Sequence, residues 1–153
     1  MSRTVFVRKG QVKLPLLLQL ASTLFLVGLI WFVQIVHYPL FAVVPGEASA
    51  AYEKAHMERT TWVVIVPMLV ELASAVWLVA LPGADREARF VGLALVAVIW
   101  ASTFFLQVPM HERLAGGFDA SAHVRLLATN WVRTAAWSLR GALVLVLAWR
   151  SMR

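Results

Sequence analysis

The stretch LPLLLQLASTLFLVGLIWFVQIV, residues 14–36, followed at once by His37-Tyr38-Pro39, decides how the rest of the chain is read. An apolar run of about 23 residues reaches across about 30 Å of hydrocarbon as a helix, whereas the core of a cleaved signal segment is shorter. The run is therefore expected to remain as a transmembrane helix, with the basic segment before it on one side of the bilayer and His37 at the other.

Three further runs have the length to cross: 61–81, 90–108 and 126–149. The expected fold is all-α, a polytopic four-helix membrane bundle forming one integral membrane domain over residues 1–153. Composition agrees, since 61% of residues are hydrophobic and only 14% charged, a balance foreign to soluble domains. The net charge of +6 lies between the apolar runs and at the ends. That placement suits topology and anionic lipid rather than nucleic acid, since no basic stripe is interleaved with aromatics in a soluble segment. With no cysteine, thiolate ligands, disulfides and cysteine nucleophiles are excluded. Phosphate loops, dinucleotide fingerprints and serine nucleophile elbows are also missing.

Basic residues set the orientation. Arg3, Arg8, Lys9, Lys13, Arg86, Arg89, Arg150 and Arg153 fall on one side, against Lys54, Arg59, Arg113 and Arg125 on the other. This favours a bacterial inner membrane protein with both termini cytoplasmic and the histidine-bearing connections outside. Pro45-Gly46 reads as a turn before a helix that runs into the second span. Gly116 and Gly117 read as breakers before a helix capped by Asp119.

Each span carries a polar stripe at helical spacing. These read Gln19, Thr23, Gln34 and His37; His56, Thr60, Glu71 and Ser74; Thr103, Gln107 and His111; and His123, Asn130, Arg133 and Arg140. Such stripes belong inside a bundle, and they place all four histidines at one membrane face. His37, His56, His111 and His123 are thus candidate metal ligands, joined by Glu58 or Glu112, with copper or iron favoured over magnesium or calcium. Two facing imidazoles, taken as His37 and His123, suit haem instead. Four unrelated polar helix ends is the plain alternative.

Deeper in the bundle, Glu71 lies about 22 Å below His56 and Arg140 about 25 Å below His123, matched depths that predict a buried ion pair. An offset of 69 residues carries Glu71 onto Arg140 and Trp62 onto Trp131, and one of 70 carries Pro39 onto Pro109. The pattern suggests two duplicated helical hairpins.

The His-Tyr-Pro at 37–39, the Asn-Trp-Val-Arg at 130–133 and the four-span layout resemble a broad group of small bacterial integral membrane proteins related to the fungal anthrone oxygenases. That resemblance implies oxygen-dependent oxidation of a phenolic or hydroaromatic compound, with His37, Asn130 and Arg133 near the ligand. The four-histidine metal site is read from the residues and not from the resemblance.

Three functions compete. The first is a metal- or haem-dependent oxidoreductase acting on a small hydrophobic phenol or quinol near the outer face, with Gln107, Asn130 and Arg133 orienting its oxygens. The second is a small transporter or channel subunit, working as a homo-oligomer, in which Glu71, Arg133 and Arg140 are functional charges. The third is a structural subunit whose partners are lipids and neighbouring proteins.

Overall fold

The computed structural model describes residues 10–83 and 85–152; Arg3, Arg8, Lys9 and Arg153 of the charge count lie outside them. The chain forms α1 (Gly10–Phe32), α2 (Gly46–Ala80), α3 (Arg86–Ser102), α4 (Val108–Leu114) and α5 (Ala120–Met152). A π turn, Val33–His37, continues α1 and is followed by a 3-10 turn, Pro39–Val43; a second π turn, Thr103–Gln107, joins α3 to α4. Among the described residues these pieces make four helical rods long and apolar enough to cross a membrane. α1 packs on α2 and α5, and α3 packs on α5 and α2.

As the Pro45-Gly46 turn and the Gly116-Gly117 breakers led one to expect, α2 begins at Gly46 and α5 at Ala120, so both rods extend beyond the apolar runs 61–81 and 126–149, the residues between turn and run containing no helix breaker. Pro45 stands immediately before α2. Asp119 accepts the backbone N–H of Ala122 at 3.0 Å, a cap on the first turn of α5. Ahead of it, Gly117 has φ +132°, a conformation that side-chain-bearing residues rarely adopt. The α4–α5 connection is tied to the first turn of α2 where Phe118 N–H donates to Ser49 Oγ at 3.0 Å.

Each π turn ends two residues before a proline, Pro39 or Pro109. A proline lacks the N–H that would bond four residues back, so each leaves a carbonyl of the preceding turn without its usual donor. Beside it the ladder takes a five-residue spacing, with Tyr38 N–H donating to Val33 O at 3.0 Å and Val108 N–H to Thr103 O; Pro67, inside α2, has no such turn. The wider turns lie 70 residues apart (103 − 33 = 70) and place Gln34, His37 and Gln107 along the bundle's inner seam.

Burial is inverted relative to a soluble protein. Leu17, Val66, Phe105 and Leu139 are all more than 60% exposed, while Gln19, Thr23, Glu71, Asn130 and Arg140 are within 3% of full burial. Apolar side chains face lipid and polar ones face each other, as a bilayer requires. Leu26, Ile30, Ile99, Leu126 and Trp137 fill one part of the interior, and Leu16, Leu78, Val144 and Leu147 fill another.

Candidate metal centre

α2 brings Glu53 and His56 to the bundle interior three residues apart, on one helix face. α4 supplies His111 opposite them. One ligand atom from each of Glu53, His56 and His111 lies within 4.8 Å of the others, and all three residues are buried. Closing such a trio around an ion with bonds of about 2.1 Å needs only side-chain adjustment.

The trio sits in a hydrogen-bonded shell. His111 Nδ1 meets Glu53 Oε1 at 2.5 Å, and His111 Nε2 meets the Tyr38 hydroxyl at 2.9 Å. Both ring nitrogens of His111 are thus engaged, and ligation through Nδ1 would need that atom free of its proton, leaving Nε2–H to donate to the Tyr38 hydroxyl. His56 makes both of its hydrogen bonds through Nδ1, to His37 Nε2 at 2.8 Å and to Thr60 Oγ1 at 3.1 Å. Phe41 lies edge-on to His56 with ring centroids 5.0 Å apart, and it is 4% exposed, which helps to exclude water.

Below the trio a cavity of about 140 Å³ opens between α2 and the second π turn. His56, His111, Tyr38, Gln107, Arg133 and Trp137 contribute to its wall. Arg133 lies over the Trp137 ring at 5.3 Å.

The structure sorts the sequence candidates differently from their stripes. His56 and His111 belong to the trio. His37 supports His56 from behind. His123 is turned away, with Nε2 bonded to the Tyr38 carbonyl at 2.8 Å, and it stacks near Phe41 and Phe118. The haem reading through His37 and His123 runs into these commitments, the first imidazole bonded to His56 and the second to the Tyr38 carbonyl. Glu58 and Glu112 are exposed, and Glu53 stands where one of them was expected. Glu58, two residues past His56, is about 200° round the helix, whereas Glu53 is on the same side.

Gln107 and Arg133 line the cavity, but Asn130 does not. The Asn130 amide donates to Gln34 Oε1 at 2.8 Å, which ties α5 to the first π turn. Glu53 and Tyr38 are the residues that sequence reasoning missed. Glu53-Lys-Ala-His56 carries the Glu-x-x-His spacing by which helical bundles present a carboxylate and an imidazole inward, and that signal was legible.

Glu71 and Arg140 are joined at 2.7 Å and each is about 1% exposed. Both oxygens of the carboxylate are engaged. Thr23 donates to Oε1 at 2.7 Å and Trp137 to Oε2 at 3.1 Å, while Arg140 also donates to Gln19 Oε1 at 2.6 Å and to the Gly92 carbonyl. A group so fully satisfied serves a structural role better than an ion path.

Outside the spans, Asp119 is held well below the usual carboxylate range, first by the Ala122 N–H and then by the Ser121 hydroxyl, with Arg113 contributing.

Comparison of the chain with protein-family models, curated proteins and solved structures found no match.

Proposed function

We propose that this protein is a membrane-embedded metalloprotein, an oxidoreductase that binds iron or copper through Glu53, His56 and His111 and acts on a small hydrophobic phenol or quinol. The carrying observation is the buried trio within 4.8 Å, set beside a cavity with an arginine in its wall. Two imidazoles and one carboxylate with room for further ligands is the donor set of non-haem iron oxygenases, which favours iron over copper.

A metal held here supplies redox chemistry; the rest falls to the chain. Tyr38 and His37 hold the outer nitrogens of His111 and His56 and so fix the ring orientations that ligation needs. Arg133 donates to a phenolic oxygen, and the apolar wall keeps water from competing. The corresponding positions of the two π turns, each followed by a proline, support descent from a duplicated hairpin. The charge distribution supports an outer location for the site, in a protein of the bacterial inner membrane with cytoplasmic termini. The resemblance to relatives of the anthrone oxygenases supports the same class of reaction.

The test is elemental analysis of protein extracted from membranes. Wild type is expected to carry close to one equivalent of iron or copper, and His111→Ala to lose it. Background metal in wild type, even after supplementation, overturns the reading.

A further inference from the structure

Two residues that line the cavity each carry a buried polar atom without a partner. Gln107 is 1% exposed, and its amide nitrogen donates to Thr129 Oγ1 at 2.9 Å. Its Oε1 is buried and has no hydrogen-bond partner among the described residues, and the same is true of Arg133 Nε. Both residues line the cavity beside the metal trio. A buried acceptor and a buried donor left unpaired each cost stability, and a hydroxyl that reached both would give its proton to Gln107 Oε1 and accept from Arg133 Nε.

Size and shape narrow the rest. An apolar cavity of about 150 Å³ accommodates one benzene ring, so about 140 Å³ has room for a single ring and not for a fused tricycle. Val64, Met68 and Trp137 give that ring apolar contact. At the rim, Thr61 is exposed. Its chain neighbours Trp62 (76%) and Val63 (50%), and Phe104 (55%) and Phe105 (78%) next to the lining residue Thr103, are exposed hydrophobics. The mouth therefore faces lipid, and an apolar tail can leave through it without crossing water.

We infer that the ligand is a single-ring phenol or hydroquinone carrying an apolar tail, its hydroxyl held by Gln107 and Arg133 and its tail lying in the bilayer between α2 and the second π turn. This names the substrate class of the site described above and rests on that reading for its chemistry, but not for binding.

Titration calorimetry on metal-stripped, full-length protein in detergent tests it, with decyl-hydroquinone, its dimethyl ether and anthrone as probes. The hydroquinone is expected to bind at least about tenfold more tightly than the ether, because the ether cannot donate to Gln107; anthrone is expected to bind more weakly than either. Gln107→Leu should shrink the hydroquinone preference to within about threefold while ether binding stays unchanged, which also reports an intact cavity. Thr129→Val, which removes the partner of the amide nitrogen together with that hydroxyl's own bond to the Arg125 carbonyl, should preserve the preference. Thr61→Trp, plugging the mouth, should weaken decyl-hydroquinone and spare tail-less hydroquinone. Equal affinity for hydroquinone and ether, anthrone binding as tight as the single ring, or equal weakening of both probes by Gln107→Leu overturns the inference. Discrimination in a protein that never takes up metal upholds this inference while the metal reading fails; stoichiometric metal without discrimination does the reverse.

Discussion

Glu71 on α2 and Arg140 on α5 meet at 2.7 Å with every oxygen of the carboxylate occupied, so the two hairpins are locked together across the membrane interior. Replacing a single partner strands a charge there. Arg140→Met is expected to destabilise the fold by about 3–5 kcal/mol, measured as unfolding in mixed micelles, whereas Glu71→Gln with Arg140→Met recovers most of the loss. A double variant no better than the single one would show that the pair has no special coupling.

The histidines should separate by role. His56→Ala and His111→Ala are expected to abolish metal binding and His37→Ala to weaken it about 10–100-fold, the usual effect of removing the group that orients a ligand. His123→Ala should leave metal affinity within about twofold, since its imidazole faces the Tyr38 carbonyl. Competition with a chromophoric chelator distinguishes the four. Equal losses at His37 and His56 would make His37 a ligand instead.

Tyr38→Phe keeps the ring that packs between Phe41 and His111 and deletes only the hydroxyl. The expected result is an intact fold with metal affinity lowered about tenfold. A variant with wild-type affinity would remove Tyr38 from the site.

Asp119 caps α5 with its carboxylate held below its ordinary range. Its contribution to stability is therefore complete above the unfolded value of about 3.9 and is lost as pH falls toward the folded value. Asp119→Ala should lower the melting temperature by a few degrees at neutral pH and by less under strongly acidic conditions. A pH-independent difference would locate the effect elsewhere.

Much of the site was legible before folding. The stripes placed Glu71, Arg140, Gln107 and Arg133 inside because a bilayer offers polar groups no other partner. Glu53 was legible too, through its spacing from His56, but its single negative charge among Lys54, Glu58 and Arg59 reads equally as a solvated helix end. Tyr38 gave no signal, since its hydroxyl matters only because a π turn delivers it to His111.

The chain by itself determined a four-rod membrane bundle with a polar interior, because run length against hydrocarbon thickness and the period of the helix leave few alternatives. Which imidazoles share a site was decided by the tertiary structure alone. Ring orientation depends on the register shift at the two π turns, and on whether the nearest partner is a carboxylate, as for His111, or a backbone carbonyl, as for His123.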